Sequence, residues 1–301
     1  MTSTTEPAVP VPVVSDTTDR LVCRLAEPAV LVCGIVNVTP DSFFDGGHCL
    51  EPSRAVDHAL QLIAEGAEMI DIGGESTRPG SHPPTTAEEL DRVIPVIGAL
   101  ARSTSVPISV DTSRPEVMQE AVAAGAVMIN DVRALRVSSA IQTAAALQVP
   151  VCLMHMQGVP ATMQVAPTYT DVVAEVRGFL LSRLDACHAA GIPSEYIVLD
   201  PGFGFGKTLA HNLELLAGLP NITDIGPPVM VGLSRKGMLG AITGRDVNNR
   251  RAASVAAAVI AAQHGATILR VHDVAATVDA VTLVHAVATA PSTNRRHPQR
   301  M

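Results

Sequence analysis

Eight times along this chain the same two-part pattern recurs: a short Val/Ile-rich run that ends in polar residues with Gly or Pro, then a stretch of helical period. The runs are VLVCGIVNVT (30–39), EMIDIGGEST (68–77), PISVDTS (107–113), VMINDVRAL (127–135), VPVCLMHMQG (149–158), YIVLDPGFG (196–204), PVMVGLSRK (228–236) and TILRVHDV (267–274). Between them lie stretches such as SRAVDHALQLIAEGA, RPEVMQEAVAAGA and NNRRAASVAAAVIAAQHGA, several closed by a Gly where a helix stops. Eight strand–helix units over roughly 250 residues is the count of a TIM barrel. A doubly wound open sheet shares the alternation but carries a glycine fingerprint after its first strand, where this chain reads NVTPDSFFDGG. The expected fold is therefore α/β, a single-domain (β/α)8 barrel over 20–290, with 1–19 and 291–301 as disordered tails.

Composition narrows the function. Among 301 residues 47% are apolar, with only 2% aromatic and no Trp, which suits close packing of helix on strand and leaves little to stack on nucleic-acid bases. A net charge of −8 argues the same way against a nucleic-acid partner. The start has no basic segment and its apolar run is broken by Pro7, Pro10 and Pro12, unlike a signal peptide. The longest apolar helix candidate, 252–262, falls short of the roughly 20 residues that cross a bilayer. Five scattered cysteines, 23, 33, 49, 152 and 187, without a C-x-x-C, fit a reducing cytoplasm better than a disulfide framework.

In a barrel of this kind the chemistry sits at the C-terminal strand ends. Those ends carry Asn37, Asp71, Asp111, Asn130, His155, Asp200, Ser234 with Arg235 and Lys236, and Arg270 with His272. Singly, an Asp or Asn at a strand end is a turn former or helix cap, and His155 between two methionines a packed core residue. Jointly, so many polar groups at one mouth need a ligand rich in donors and acceptors, because each buried unpaired group costs about 1–3 kcal/mol. Alternation sets Asp111 with Ser109, Lys236 with Ser234, and Arg270 with His272 on shared faces. Arg78, Arg270 and His272 suggest an anion clamp for a phosphate or pyrophosphate.

The stretch LDPGFGFGKT (199–208) ends like a phosphate-binding loop, but Pro201 stands where the P-loop needs Gly, and the evenly spaced Gly202, Gly204 and Gly206 break the dinucleotide pattern. Only two of the 21 basic residues are lysines, Lys207 and Lys236, both in strand-end loops, and Lys236 carries the stronger functional expectation. No zinc spacing, nucleophile elbow or nucleophile–base pair occurs. A metal here would be Mg²⁺ on phosphate oxygens and water, with Asn37 as its single protein ligand.

Taken in order, GIVNVTPDSFFDGG, DIGGESTRPG, SVDTSRPEV, INDVRAL, CLMHMQGVP, LDPGFGFGKT, VGLSRKGMLG and RVHDV resemble the dihydropteroate synthases over residues 29–283. The resemblance implies a TIM barrel that joins 6-hydroxymethyl-7,8-dihydropterin diphosphate to p-aminobenzoate with Mg²⁺, releasing pyrophosphate and giving 7,8-dihydropteroate. It assigns the pterin diphosphate to Thr77, Asp111, Asn130, Asp200, Lys236, Arg270 and His272. It assigns p-aminobenzoate to Thr77, Pro79, Phe205 and Ser234, beneath lids at 38–50 and 75–84. Arg78, Lys236, Arg270, His272 and Asp45 are the implied catalytic residues, a homodimer the implied assembly, and sulfonamides the implied competitors. The chain departs from the family pattern at Phe44 and in ALRVSSA (134–140). Two rivals share features: a pterin-dependent methyltransferase domain, which has the barrel without the anion clamp, and a paralogue that binds pterin without turnover.

Overall fold

A computed structural model describes residues 13–39, 52–76, 83–160 and 162–290, with backbone alone at 13–15. The strands are β1 Leu31–Asn37, β2 Met69–Gly73, β3 Ile108–Asp111, β4 Met128–Asp131, β5 Val151–Met154, β6 Ile197–Asp200, β7 Met230–Val231 and β8 Ile268–Val271. The helices in chain order are α1 Val13–Leu25, α2 Pro52–Ala64, α3 Thr86–Ser103, α4 Pro115–Ala124, α5 Ala140–Leu147, α6 Val172–Ala189, α7 Leu209–Ala217, α8 Pro220–Thr223, α9 Gly237–Thr243, α10 Arg251–Gln263 and α11 Val274–Ala288. Each expected run contains its strand, and at least one helix follows every strand.

The strands lie in the order β6-β5-β4-β3-β2-β1-β8-β7, all parallel. A single parallel bridge between Leu199 and Val229, with the Leu199 N–H on the Pro228 carbonyl at 2.9 Å, brings β6 against β7 and rounds the sheet into a barrel. The strands are short and buried on both faces, which is why they read as near-continuous Val/Ile/Leu runs.

Residues pointing outward, such as Val36, Ile72, Val110, Ile129, Leu153 and Leu199, pack with the helices in one large cluster. Residues pointing inward, Leu31, Cys33, Met69, Met128, Cys152, Val198, Met230 and Ile268, form a second cluster inside the barrel. Leu21 and Leu25 of α1 join that inner cluster. This corrects the expectation of a tail over 1–19: the chain is helical from Val13, and Thr18, Leu21 and Leu25 are buried against the barrel floor. The apolar bottom layer would otherwise face water, and an amphipathic helix is the simplest cover for it. Residues 1–12 and 291–301 lie outside the described residues.

Helix ends follow local chemistry. Thr85 and Glu88 form a reciprocal capping box that starts α3, Asp171 caps α6 through the Ala174 N–H at 2.9 Å, and Gly125 ends α4 at φ 118°. No described helix is long and apolar enough to cross a membrane. The described cysteines, Cys23, Cys33, Cys152 and Cys187, are all free.

Candidate active site

Inward alternation brings one residue from each of several strands into a layer just above the inner apolar cluster. Asp71 of β2 pairs in register with Ser109 of β3, and Asp111 of β3 pairs with Asn130 of β4. Arg270 of β8 reaches across them: its Nε donates to Asp71 Oδ2 at 2.6 Å and one Nη to Asp111 Oδ2 at 2.9 Å. Asn130 Nδ2 donates to the same Asp71 oxygen at 3.0 Å. Two polar atoms of this layer, Asp71 Oδ1 and Ser109 Oγ, are buried with no hydrogen-bond partner. Orphaned buried acceptors are rare, and at a barrel mouth they mark where a donor-bearing ligand binds.

One guanidinium serves two carboxylates here, and the titration of the layer reflects it. Burial opposes the charge on Arg270, but Asp71 and Asp111 outweigh it and hold the guanidinium protonated. Burial pushes Asp111 up to about 8 in spite of Arg270, with Asp71 adding repulsion. Asp200 on β6 is likewise raised by burial, opposed by Lys236 and by the Gly202 N–H, which it accepts at 2.7 Å. Burial lowers Lys236 to about 8, with Asp200 opposing.

Lys236 donates to the Phe203 carbonyl, and its Nζ stands 4.5 Å from the centre of the Phe205 ring, a cation–π distance. Phe205 in turn packs on Val132, Met154, Met156 and Met163. Ser234 bridges the last two strands: its Oγ accepts the His272 N–H at 3.1 Å and lies 3.0 Å from His272 Nδ1. Its neighbour Arg235, held at φ 57°, turns away into a two-pronged pair with Asp273 at 2.7 and 3.1 Å.

Asp71, which carried no role in the assigned site, is the residue on which the layer converges. Its signal in the sequence was its place at a strand end, alternating inward with Met69. A second group lay unread in DIGGEST and SVDTSR. Glu75 accepts from Arg133 at 3.0 Å and lies 3.6 Å from Arg114, which also binds Glu89 and donates to the Pro84 carbonyl at 2.6 Å. This brace ties Glu75 to Pro84 and Glu89, the described residues on either side of 77–82. Thr77, Arg78, Pro79 and Asp45, expected to contribute to the site, lie outside the described residues. Asn37 stands half-buried at the end of β1, and its amide hydrogen-bonds to no described residue.

The three glycines of LDPGFGFGKT have separate reasons. All are at positive φ, 69°, 82° and 63° for Gly202, Gly204 and Gly206. A Cβ on Gly202 would lie 1.8 Å from the His155 carbonyl oxygen, and one on Gly206 2.4 Å from that of Gln157. A Cβ on Gly204 would instead meet Lys236 Cδ at 3.1 Å. The spacing of two therefore serves close backbone approach to the end of β5 and the residues after it, and room for Lys236. The departure ALRVSSA forms a tight turn with Ala134, Leu135 and Ser139 at positive φ. Asp131 accepts from the Arg133 and Leu135 N–H groups there, and Arg183 binds the Ala134 and Leu135 carbonyls.

A barrel whose mouth gathers carboxylates, an amide, a lysine and a buried arginine is what a pterin-binding enzyme presents, and residues 33–272 match the family model described as "Pterin binding enzyme". The dihydropteroate synthase of Escherichia coli K12 is 50% identical over 271 residues, covering 90% of this chain and 95% of that one. A solved Xanthomonas albilineans dihydropteroate synthase with 4-aminobenzoic acid is 56% identical at a TM-score of 0.83, covering 87% of this chain and 94% of its own. Another from that organism, in complex with 7,8-dihydropteroate, is 53% identical at a TM-score of 0.81, covering 87% and 95%. The chain belongs to the dihydropteroate synthase family. Its reaction is a transfer: the pterinylmethyl group of 6-hydroxymethyl-7,8-dihydropterin diphosphate passes to p-aminobenzoate, and pyrophosphate leaves.

Proposed function

We propose that the dihydropterin ring occupies the layer of Asp111, Asn130, Asp200 and Lys236 under Arg270, with p-aminobenzoate against Phe205 beside Ser234 and Lys236. The observation that carries this is the pair of orphaned buried acceptors, Asp71 Oδ1 and Ser109 Oγ, in the layer that Arg270 and Asn130 tie together. A pterin offers a guanidine-like edge of donors to carboxylates, ring and carbonyl acceptors to Asn130 and Lys236, and a flat face to a guanidinium.

The diphosphate then points to His272 and Asn37, with Thr77 and Arg78 completing its binding. Among described residues no three His, Cys, Asp or Glu side chains group as a metal site, so the fit for Mg²⁺ is one uncommitted amide, Asn37, with water and phosphate oxygens for the rest. When bound there, Mg²⁺ supplies charge neutralisation on the diphosphate. Arg78 and His272 stabilise charge on the departing pyrophosphate, and the carboxylates of Asp111 and Asp200 favour the positive charge that spreads over the pterin. The arylamine is neutral near pH 7 and attacks without a general base. Asp45, which the family resemblance makes catalytic, would help exclude water from the cation. A homodimer fits the exposed Ile260 on α10 and the exposed Leu283 and Val287 on α11.

The assay supplies dihydropterin diphosphate, p-aminobenzoate and Mg²⁺ and follows pyrophosphate and pteroate together. Turnover is expected, with a sulfonamide raising the apparent KM for p-aminobenzoate alone. Asp200→Asn and Lys236→Ala should each lower kcat/KM by about 100-fold, the scale of one lost charge-assisted contact in a preorganised site, while keeping a cooperative melt. Wild-type rates in both variants would sink this placement of the pterin; pterin binding without product would favour the silent paralogue.

A further inference from the structure

Lys207 is the other lysine, and it does not reach the mouth. It is only 3% exposed, and its ammonium is bound within the protein: to the Gly202 carbonyl at 2.8 Å, the Phe205 carbonyl at 3.2 Å and His155 Nδ1 at 2.9 Å. Burying an ammonium is costly, and a turn formed by glycines at positive φ gains nothing in general from carrying one. Burial drives Lys207 down to about 7 and, with Lys207 adding repulsion, drives His155 to about 3, so the imidazole stays neutral and its Nδ1 offers a lone pair. An ion whose own environment disfavours it and whose contacts are internal has a mechanical role in view.

What it holds is the plate that carries Phe205. The peptide groups of this turn are tied down one after another. Tyr169 Oη donates to the Gly206 carbonyl at 2.8 Å, Gln164 to the Gly204 carbonyl, and the Gly204 N–H to Asn212 Oδ1 at 2.7 Å. The Phe205 N–H closes the turn on the Gly202 carbonyl at 3.1 Å, and Lys207 reinforces that span by donating to the Gly202 and Phe205 carbonyls and fastens it to the end of β5 through His155. The far side of the same turn presents the Phe203 carbonyl and the Phe205 ring to Lys236. The bonds of Lys207 therefore set where the Phe205 and Lys236 pair stands relative to the pterin layer.

We propose that Lys207 is a positioning residue for the arylamine subsite, a buried strut that ties the Phe205 turn to the β5 end through His155 and fixes the Phe205–Lys236 pair against which p-aminobenzoate docks. This rests on the placement of p-aminobenzoate at Phe205. Because three of the four pterin contacts, Asp111, Asn130 and Asp200, come from strands and only Lys236 leans on the turn, loss of the strut should raise KM for p-aminobenzoate far more than the pterin Kd.

The test compares Lys207→Met with Phe205→Ala in the full-length protein, measuring KM for p-aminobenzoate, kcat, and the Kd of the pterin diphosphate by calorimetry. Phe205→Ala should raise KM for p-aminobenzoate; if it does not, the subsite is misplaced and the strut falls with it. Lys207→Met should raise that KM by about tenfold, the order expected when a docking surface shifts by a fraction of an ångström, with pterin Kd within about twofold of wild type. If Phe205→Ala has its effect while Lys207→Met changes neither KM, or shifts KM and pterin Kd alike, the strut is overturned and the subsite stands. Should Lys207→Met fail to fold, Lys207→Gln, which keeps two donors, decides. An intermediate KM for p-aminobenzoate supports positioning, and a wild-type KM or a second failure to fold marks Lys207 as purely structural.

Discussion

Arg270→Leu is expected to abolish turnover and to destabilise the protein most at alkaline pH. The guanidinium sits 81% buried by side chain, 19% exposed, between Asp71 and Asp111, which are 1% and 16% exposed. Removing it leaves two carboxylates buried beside each other, and breaking a buried pair of this kind costs about 3–5 kcal/mol. The pH dependence has a definite sign. Burial raises Asp111 to about 8, Arg270 opposes that rise and Asp71 adds to it, so without Arg270 Asp111 rises further. A carboxylate whose folded pKa lies above its unfolded value contributes stability below the unfolded value and loses it as pH climbs through the folded one. The variant's deficit should therefore be smallest below about pH 3, where Asp111 is largely neutral in both states, and widen steadily through pH 8. Thermal melts of both proteins across that range check it. A deficit that is constant with pH would show that Arg270 stabilises by packing alone, and the shared-guanidinium account of the layer would fail. Activity should not return at low pH, because the neutral layer lacks the charges that favour the pterin cation.

Gly202→Ala is expected to be the most damaging single methyl in the molecule's catalytic face. The left-handed conformation at φ 69° costs a non-glycine residue about 1–2 kcal/mol. Far worse, the new Cβ would lie 1.8 Å from the His155 carbonyl oxygen, and that oxygen belongs to backbone that is hydrogen-bonded at its own N–H to the Asp200 carbonyl at 2.9 Å. Neither strand end can retreat without pulling Asp200 out of the pterin layer. A loss of about 3 kcal/mol or more is expected, together with the loss of pterin binding. Gly204→Ala is the control, with a similar φ of 82° but a Cβ contact on the flexible Lys236 side chain at 3.1 Å. It should keep the fold and weaken pterin binding far less than Gly202→Ala does, while impairing the Phe205–Lys236 pair. Chemical denaturation and pterin calorimetry on the two variants separate these outcomes. Equal stabilities would show that the β5 end yields more readily than this packing allows.

Much of this was legible in the residues. Eight Val/Ile runs with polar ends fixed the strand count, and alternation placed Asp111 with Ser109 and Arg270 with His272 on the inner face; the register sets Ser109 beside Asp71 and Arg270 beside Cys33, while His272 lies just past β8. Periodicity is a local property, so it survives without knowledge of neighbours. Failures fall where the deciding contact is distant in sequence. Residues 13–19 read as tail because the burial of Thr18, and of Leu21 and Leu25 after it, exists only once eight strand ends present an apolar floor to cover. Asp71 looked like one strand-end acid among several, since its partner Arg270 lies 199 positions away. Lys207 was set below Lys236 because a sequence shows that a lysine sits in a turn and not which way its ammonium points.

The sequence by itself determined the fold class, the family and the face of each strand, because strand and helix periods and short motifs are written within a few residues. Only the tertiary structure decided which polar groups meet. Barrel closure sets residues from β2, β3, β4 and β8 within hydrogen-bond reach, leaves Asp71 Oδ1 and Ser109 Oγ without partners, and turns Lys207 inward beneath Phe205. Hydrogen bonds act over about 3 Å, and separation along a chain says nothing about distance on that scale until the barrel has formed.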